Sequence, residues 1–376
     1  MAGIYFHFPF CRQACHYCNF HFSTQLKYQE EILNAFEKEI ELRTEELPSK
    51  VESIYFGGGS PSLMQPKSID RLINEVTKNF TLQKNIEITI EVNPDDVSYE
   101  YLLALSSIGV NRLSIGIQSF SDTELKLMNR IHNSDQAIRT LEWTAKIFDN
   151  FSVDLIYGIP SSDFSSWKKN LNQALFFDIP HLSSYALTVE SKTVLSYQVK
   201  NKEIQLLDEE QVKIQYDWMI DKMEGLGYEN YEFSNFSKPG YSSVNNANYW
   251  KRKAYLGIGP AAHSYDGHRK RSWNPSNNIK YLKSIQKGIL PAECENLSTH
   301  DTFNEYLMTG LRTSWGVSLK VINETFGKRY CNYLEKQVEN HLIDKRLYWD
   351  GDTLKVSKSA KFLTDGIASD LFILKN

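Results

Sequence analysis

The chain has 376 residues, of which 41% are hydrophobic and 23% are charged, and its formal net charge is −4. This length predicts two or three domains with a large hydrophobic core, and the composition is ordinary for a soluble globular protein. The near-neutral charge excludes the global basic field of many nucleic-acid-binding proteins. No apolar run reaches the ~18 residues that a membrane helix needs, and the N-terminus lacks the charged and apolar regions of a secretory signal.

The first predicted strand, 4–8, leads directly into a loop that is rich in cysteine. Cys11, Cys15 and Cys18 form the pattern C-x3-C-x2-C, and the other two cysteines lie far away. Three cysteines this close together, in a long chain without a secretion signal, indicate a metal site rather than disulfides. Thiolates are soft ligands that favour zinc, copper(I) or an iron–sulfur cluster.

The number of cysteines bears on the kind of metal site. A closed iron–sulfur cluster takes four cysteines, so three would hold three irons of a cubane and leave the fourth iron open. An open metal position is typical of catalytic rather than structural sites. The alternative is a Cys3His zinc site completed by His7, His16 or His21.

Strands and helices alternate six times over the first half of the chain, which predicts parallel βαβ units. The predicted strands are 4–8, 51–56, 86–92, 112–117, 153–156 and 182–187. The predicted helices are 27–46, 66–79, 98–107, one that begins at a capping box of Ser121 and Glu124, 134–148 and 165–176. Six units without a clear seventh and eighth predict an α/β fold with an open partial (βα)6 barrel, and the complete eight-stranded barrel is the alternative.

Several polar or glycine-rich segments fall at the C-terminal ends of these strands, where barrel proteins bind their ligands. They are the cysteine loop, the glycine run 57–59, Glu91, Gln118 and Asp154. Glycines let a backbone approach a ligand closely and adopt positive φ. Carboxylates at the ends of apolar strands are usually either functional or bonded to neighbouring loop backbone.

The next part of the chain combines aromatic and basic residues. A helix is predicted over 208–224 and a strand over 228–236, and basic clusters follow at 251–253 and 268–271. Rings together with guanidinium groups suit a flat aromatic ligand with carboxylate arms, whereas a solvated charged surface is the alternative for each cluster.

The character of the chain changes at about residue 298. Helices are predicted over 298–313, 318–326 and 329–342, followed by a hairpin with strands 347–349 and 353–356 and by a last helix. This order predicts a winged-helix-like α+β domain. Because its basic and acidic residues nearly balance, we expect it to cover a partner or substrate rather than to bind nucleic acid.

The predicted organisation thus has three parts. Residues 1–230 would form the partial barrel with its cluster loop, 231–297 a barrel extension with a linker over 265–297, and 298–376 the C-terminal winged-helix-like domain.

Taken together, six segments resemble the oxygen-independent coproporphyrinogen III oxidase-like group of the radical S-adenosylmethionine (SAM) superfamily. They are Tyr5-x-His7-x-Pro9-Phe10-Cys11, Gly57-Gly58-Gly59-Ser60-Pro61, Glu91-Val92-Asn93-Pro94, Gly116-Ile117-Gln118-Ser119, Asn129-Arg130-x-His132 and Asp154-Leu155-Ile156-Tyr157-Gly158-Ile159-Pro160. The resemblance implies a [4Fe-4S] cluster on Cys11, Cys15 and Cys18, with SAM chelating the open iron. One electron from the cluster would then cleave SAM to a 5′-deoxyadenosyl radical. The resemblance implies SAM contacts from Tyr5, Tyr17, Gly58, Gly59, Ser60, Glu91, Gln118, Arg130, Asp154 and Ile156.

Within this group the chain resembles the branch of HemW-type haem chaperones. Only ten residues precede Cys11, where the oxidases carry a catalytic arm, and Phe20 stands where the oxidases have a further cysteine. The resemblance implies a protein that binds haem, delivers it to recipient haemoproteins and lacks the oxidative decarboxylase activity. The oxidase activity is the alternative, and a zinc-binding structural protein is the second.

The same resemblance bears on location and partners. An oxygen-labile cluster and reduced cysteines fit the cytoplasm. Peripheral contact with membrane haemoproteins and a homodimer are both compatible with this branch.

One position departs from the pattern of the branch, which carries an H-N-x-x-Y-W motif linked to haem binding. Here the motif begins with Asn245, and an asparagine does not replace imidazole as an axial haem ligand. We expect haem contacts from Asn246, Tyr249, Trp250 and His263. The alternatives are an axial ligand among His263, His268, Cys294 and Cys331, binding by stacking alone, or no haem binding, and the sequence does not choose among them.

Overall fold

The computed structural model describes residues 1–47 and 49–374, and fifteen strands are assigned among them. In chain order they are β1 (Ala2–Phe8), β2 (Val51–Gly58), β3 (Leu82–Val92), β4 (Arg112–Gln118), β5 (Phe151–Tyr157), β6 (His181–Ala186), β7 (Glu229–Glu232), β8 (Asn235–Ser237), β9 (Ala254–Ile258), β10 (His263–Tyr265), β11 (Lys270–Trp273), β12 (Glu293–Asn296), β13 (Val317–Ser318), β14 (Leu347–Asp350) and β15 (Thr353–Val356).

The helices follow the same order. They are α1 (Gln29–Leu42), α2 (Pro66–Asn79), α3 (Tyr99–Ser107), α4 (Asp122–Leu127), α5 (Ser134–Ile147), α6 (Phe164–Phe176), α7 (Val194–Lys200), α8 (Glu209–Gly225), α9 (Val244–Trp250), α10 (Asn278–Gln286), α11 (Thr299–Leu311), α12 (Leu319–Phe326), α13 (Lys328–Gln337), α14 (Glu339–Ile343) and α15 (Thr364–Asp370), with short 3-10 turns at Leu26–Tyr28, Pro61–Leu63 and Lys358–Leu363.

Strands β1 to β6 lie side by side in chain order and pair in parallel. Their side chains are buried on both faces, as expected where helices cover a parallel sheet. The sheet is open, and its order among the described residues is β12-β11-β10-β9-β1-β2-β3-β4-β5-β6-β8-β7. The prediction of a partial (βα)6 barrel is therefore confirmed, and the complete eight-stranded barrel is not formed.

The β1 edge of the sheet carries strands that the sequence analysis did not predict. β9 pairs in parallel with β1, and β10, β11 and β12 follow as antiparallel strands. The segment 265–297, which we expected to be a linker, therefore contributes β11, β12 and α10 to the barrel side of the molecule. β9 escaped prediction because it is short and contains Gly257, where an added Cβ would lie 2.1 Å from the carbonyl oxygen of His263. A glycine inside a strand often marks such a close backbone approach.

Two local predictions were wrong. The strand expected over 228–236 is divided into β7 and β8, which pair antiparallel with each other. The capping box is also absent, because Ser121 makes no side-chain cap. The carboxylate of Glu124 is buried and instead accepts hydrogen bonds from Asn170 (2.7 Å) and Ser119 (2.5 Å).

The C-terminal part has a small antiparallel sheet, β13-β15-β14, packed with helices α11 to α15. Its buried residues form a core cluster of their own, from Phe303 to Leu371. The expected helices and hairpin are present, with β13 as a third strand, so the winged-helix-like α+β architecture is confirmed. The helix expected over 329–342 is divided at Val338 into α13 and α14. The last two residues of the predicted domain, 375–376, lie outside the described residues.

Arg312 lies at the junction between this part and the barrel. Its guanidinium carbon is 5.1 Å from the ring centroid of Phe233 and 5.2 Å from that of Trp250. Its Nη1 also donates to the carboxylate of Asp365 at 2.6 Å. Trp250 of the Asn245–Trp250 segment therefore packs at the junction.

Among the described residues, none of the helices combines the length and the apolar character needed to span a lipid bilayer.

Candidate functional site

The cysteine loop is closed at its base by backbone hydrogen bonds. Cys11 N donates to Ser23 O at 3.1 Å, and Ser23 N donates to Pro9 O at 2.9 Å. Further along the loop, His16 N donates to Met128 O at 3.1 Å. The loop is thus held against both β1 and the segment after α4, and its three cysteines line one cavity.

The glycine run after β2 packs directly against this loop. Gly59 N donates to Phe8 O at 2.8 Å and Ser60 N to Phe10 O at 2.7 Å. A Cβ on Gly59 would lie 2.5 Å from Phe10 O, so only glycine permits this approach. The sequence predicted a close approach of the glycine run to a ligand, whereas the approach seen at Gly59 is to the protein's own backbone just before Cys11.

Glu91, near the end of β3, faces the cavity, and each of its two carboxylate oxygens accepts one hydrogen bond from the protein. It accepts from Tyr55 Oη at 2.9 Å and from Gly58 N at 3.2 Å. Burial, together with the nearby charge of Asp154, raises the pKa of Glu91 to about 7, although the Tyr55 hydrogen bond works against this. A partly desolvated carboxylate of this kind suits a cationic group of a ligand.

Asp154, in the middle of β5, faces the same cavity. The hydroxyl of Ser114 lies 3.2 and 3.1 Å from its two carboxylate oxygens. Burial raises the pKa of Asp154 to about 6, against the lowering effect of hydrogen bonds from Ser114 and Ser183. Its carboxylate is thus bonded to a side chain of the neighbouring strand β4 and lines the cavity, and its contact with SAM stays a prediction.

Arg130 connects the cysteine loop to the strand ends. Its Nη2 donates to Asn93 Oδ1 at 2.6 Å and to Gly116 O at 2.9 Å, and its Nη1 lies 3.5 Å from Cys15 Sγ. Arg130 thus ties the cysteine loop to Asn93 after β3 and to the backbone of β4.

Gln118 closes β4 in a left-handed backbone conformation, with φ of +64°. A hydrogen bond from Ser119 N to Ile117 O at 2.8 Å spans it. A non-glycine residue in such a three-residue turn is strained, and strain of this kind concentrates at functional sites. The buried Glu124, which accepts from the Ser119 hydroxyl, helps to hold the turn.

All of the residues predicted to hold the cluster and SAM meet in one cavity of about 570 Å³. This volume is within the usual range for small-molecule sites. The lining includes the three cysteines and Tyr5, Tyr17, Gly58, Gly59, Ser60, Glu91, Gln118, Arg130, Asp154 and Ile156.

The three thiols are free, so all three are available as ligands. Burial raises the pKa of Cys11 to about 12, with Cys18 and Cys15 adding to the effect against the Ser60 hydrogen bond. This shift disfavours the thiolate that binds metal, so the fit to a cluster rests on the donor set and not on the pKa. No group of three or more His, Cys, Asp or Glu side chains within residues 1–47 and 49–374 is arranged to hold a single metal ion. A cubane does not require such convergence, because each thiolate binds its own iron. The donor set therefore fits a cluster.

Two residues at this site were missed by the sequence analysis as contacts. Tyr55 bonds to Glu91, and Asn93 bridges Arg130 and the Ser60 hydroxyl, to which its Nδ2 donates at 2.9 Å. Asn93 belongs to the recognised segment Glu91-Val92-Asn93-Pro94. Its polar side chain at the end of a strand could therefore have been predicted as a site contact. Nothing in the local pattern of β2 distinguishes Tyr55 from a core residue.

A second cavity of about 550 Å³ adjoins the first and shares a wall with it. Both cavities are lined by Tyr5, Asn19, Phe20, Gly58, Glu91 and Tyr249. On its other sides the second cavity is lined by Ala261 and Ser276, by the ring of Tyr255 and by three histidines, His7, His21 and His263.

The residues expected to contact haem are not all brought together. Tyr249 lines both cavities, Asn246 only the first and His263 only the second, whereas Trp250 lines neither. His268, Cys294 and Cys331, the other ligand candidates, also line neither cavity.

Asn245 is held as part of the protein framework. It is buried, its backbone N donates to the carboxylate of Glu87 at 3.0 Å, and its Oδ1 accepts from Ser53 Oγ at 3.4 Å. Glu87 also accepts from Val244 N at 2.9 Å. A buried carboxylate thus fixes the N-terminus of α9.

Comparison with known proteins places the chain. Residues 5–174 match the model of the radical SAM superfamily. The haem chaperone HemW of Bacillus subtilis is 34% identical, covering 97% of this chain and 95% of its own length. The mitochondrial radical S-adenosyl methionine domain-containing protein 1 of Mus musculus is also 34% identical, covering 84% of this chain and 74% of its own. The chain also resembles the solved structure of coproporphyrinogen III oxidase (HemN) from Escherichia coli, a radical SAM enzyme. The superposition covers 99% of this chain and 90% of the HemN chain, with a TM-score of 0.84 and a sequence identity of 22%.

The open barrel and the cysteine loop are those of a radical SAM protein, and the HemN match shows that the shared fold extends over the whole chain. On the identity and coverage of its relatives, the chain belongs to the HemW family of the radical SAM superfamily.

Proposed function

We propose that the protein is a haem chaperone, which binds haem and delivers it to recipient haemoproteins. The observation that carries this proposal is the likeness over nearly the whole chain to curated proteins named as haem chaperones. The second, ring-lined cavity beside the cysteine site supports it, because a flat ligand requires such walls.

In this proposal Cys11, Cys15 and Cys18 hold a [4Fe-4S] cluster, and SAM occupies the first cavity. When bound, the cluster and SAM together supply the one-electron chemistry of the superfamily. Glu91 would accept from the ammonium group of SAM, and the backbone of the glycine run would lie along it. Arg130 would stabilise the Cys15 thiolate and hold the strand end through Asn93.

The remaining SAM contacts follow from the lining of the same cavity. Asp154, in the middle of β5, would accept from hydroxyl groups of SAM, as carboxylate oxygens do. Tyr5, Tyr17 and Ile156 would supply the apolar walls, and the strained turn at Gln118 would fix the position of its amide group.

Carrying haem requires fewer precisely placed polar groups than catalysing a reaction does. A chaperone must bind the ring without reacting with it and must release it, which favours aromatic walls with few charge-assisted bonds. Among the described residues the second cavity has no lysine or arginine in its lining. The carboxylate arms of haem would therefore face solvent or the recipient protein.

We further propose a cytoplasmic location, recipient haemoproteins that include peripherally contacted membrane proteins, and a homodimeric state. The five free cysteines support a reducing compartment.

The alternative function is oxygen-independent oxidation of coproporphyrinogen III. The likeness to HemN supports a common fold, and at 22% identity it supports no more than that. Anaerobic incubation with coproporphyrinogen, SAM and a reductant, followed by product analysis, separates the two. Protoporphyrinogen in the products would replace the chaperone proposal by the enzymatic one.

A zinc-binding structural protein is the second alternative. Metal and sulfide analysis of anaerobically purified protein decides between the two centres. We expect iron and sulfide in comparable amounts, whereas stoichiometric zinc without sulfide would support the structural site.

The experiment that tests the proposal directly is an anaerobic haem titration of the cluster-reconstituted protein, followed by absorbance. We expect saturable binding near one haem per chain, and transfer of that haem to an apo-haemoprotein. Absorbance that rises without saturation would contradict the proposal.

A further inference from the structure

We propose that haem binds in the second cavity with the imidazole of His263 as its axial ligand. This inference rests on the proposed function and names the site at which it is carried out. It places the iron on the face of the molecule formed by β9 and β10.

The first of the three histidines in this cavity is committed to other bonds. His7 is buried, its Nε2 donates to His21 O at 2.8 Å, and its Nδ1 lies 3.2 Å from Tyr5 Oη. Because a carbonyl oxygen only accepts, Nε2 must carry the proton, and Nδ1 is then the acceptor for the tyrosine hydroxyl. Both ring nitrogens of His7 are therefore used.

His21 is half committed. Its Nε2 donates to Asn278 Oδ1 at 2.7 Å, which leaves only Nδ1 with a lone pair. Nδ1 is the ring nitrogen next to the Cβ substituent, where the side chain's own backbone crowds a large planar ligand. His21 is thus a poor partner for the iron of a porphyrin.

His263 has neither restriction. Within residues 1–47 and 49–374, no hydrogen bond to either of its ring nitrogens is formed, and the side chain is exposed to the cavity and solvent. Its ring stacks on Trp273, with ring centroids 6.0 Å apart and planes 28° from parallel, and the two residues are directly opposite each other on β10 and β11. The tryptophan therefore orients the imidazole without occupying its nitrogens.

The other walls of the cavity suit a flat ring. Tyr249 and Tyr255 meet edge to face, with centroids 4.6 Å apart at 90°, and Tyr5 lies on the side shared with the first cavity. Phe20, which is 67% exposed, stands at the rim. A planar ligand between these rings gains apolar contact while its iron faces His263.

The test compares haem titrations of the wild type, His263→Ala and His268→Ala by absorbance, all as cluster-reconstituted protein. His268→Ala is the matched control, because His268 is an exposed histidine on the same side of the molecule that lines neither cavity. We expect His263→Ala to weaken haem binding at least tenfold and to lose the absorption spectrum of a histidine-ligated haem, while the control behaves as wild type. Added free imidazole should restore the spectrum of His263→Ala.

A second variant guards against a trivial loss of folding. His263→Cys keeps a ligand atom, so we expect it to retain haem with a Soret band shifted towards that of a thiolate complex. Iron and sulfide content should be unchanged in both variants, because His263 lies outside the cysteine site.

The outcomes separate this inference from the function on which it rests. Wild-type protein that binds no haem saturably would contradict the chaperone proposal itself. Wild-type binding that persists with the same affinity and spectrum in His263→Ala and His263→Cys would overturn the assignment of His263 and leave the chaperone proposal standing.

Discussion

The two neighbouring cavities differ in how their polar groups are held. In the first, the functional groups are bonded to the protein: Glu91 to Tyr55 and Gly58, Asp154 to Ser114, and Arg130 to Asn93. The second shares Glu91 and contains the bonded His7 and His21, but His263 makes no ring hydrogen bond among the described residues, and seven of the twelve lining residues carry rings. The first cavity is thus preorganised for a tightly held cofactor, and the second offers one free ligand between apolar rings.

The difference fits two kinds of ligand. A resident cofactor binds more tightly to groups that are already oriented, because the protein does not have to reorganise them on binding. A cargo that must leave gains from a site with few fixed polar contacts, because fewer bonds must be broken on release. The following experiments test whether the two cavities behave separately in this way.

The largest effect is expected from Cys15→Ala in the first cavity. Removing one of three thiolates should abolish the cluster and, with it, SAM binding, because the open iron is lost. Iron and sulfide analysis with SAM equilibrium dialysis measures both. Cys294→Ala is the matched control, since Cys294 is exposed on β12 and lines neither cavity. Wild-type iron content in Cys15→Ala would count against the assigned cluster site.

The next largest effect concerns His7, which lies in the wall of the second cavity but belongs to the protein's own bonding. Burial, and then the charges of His21 and His263, lower its pKa from 6.5 to about 4, although the hydrogen bond to the His21 carbonyl works against this. Between these values the unfolded chain binds a proton that the folded chain does not, so stability is lost as the pH falls from 6.5 towards 4. The loss due to this residue is about 3 kcal/mol.

Chemical denaturation at pH 7 and pH 4 measures this effect. The wild type should lose more free energy of unfolding over this interval than His7→Gln, whose amide can still donate to the His21 carbonyl. The exposed His268→Gln should follow the wild-type curve. If the free energy of unfolding of His7→Gln depends on pH as that of the wild type does, protonation of His7 does not destabilise the folded state.

A more modest effect is expected from Glu91→Gln, which changes charge but not shape. The amide cannot accept from both Tyr55 and Gly58 while facing an ammonium group, and losing a charge-assisted hydrogen bond costs about 1.5–3 kcal/mol. SAM affinity should therefore fall about 10- to 100-fold in equilibrium dialysis, with haem affinity much less affected. Glu100→Gln is the control, because Glu100 is exposed on α3 and lines neither cavity, and it should bind SAM as the wild type does. An unchanged SAM affinity in Glu91→Gln would remove Glu91 from the site.

The smallest effect is expected from Trp250→Leu. Its ring contacts Arg312 at the junction and lines neither cavity, so the loss is a cation–π contact of about 1 kcal/mol in stability. Haem titration should give wild-type affinity. Its neighbour Tyr249, by contrast, lines both cavities, and Tyr249→Leu should weaken haem binding. The reverse pattern would place the ring of haem at the junction.

The sequence predicted the first cavity well and the second poorly, for a physical reason. Parallel strands bring their C-terminal ends to one edge, so the order of β1 to β5 was enough to gather Glu91, Gln118 and Asp154. The second cavity depends on β9 lying beside β1, and these strands are separated by about 250 residues in the chain. No local pattern encodes such a pairing.

Individual residues show the same limit. Ser121 and Glu124 have the spacing of a capping box, but the buried Glu124 carboxylate bonds to Asn170, which lies on another helix. The bonds of Tyr55 and the stacking of His263 on Trp273 likewise depend on neighbouring strands. Where folding brings distant residues together in the core, their tertiary contacts, and not the local sequence pattern, determine which hydrogen bonds form.

The wall between the cavities has a thermodynamic consequence of its own. Tyr5, Glu91 and Tyr249 face both sides, so a ligand in one cavity that moves them changes the free energy of binding in the other. Linkage requires the two changes to be equal, whatever their sign. If SAM tightens the hold on haem fivefold, haem tightens the hold on SAM fivefold, and handing haem to a recipient loosens SAM by the same factor. The three side chains would then couple the two binding sites, so that the occupancy of each site changes the affinity of the other.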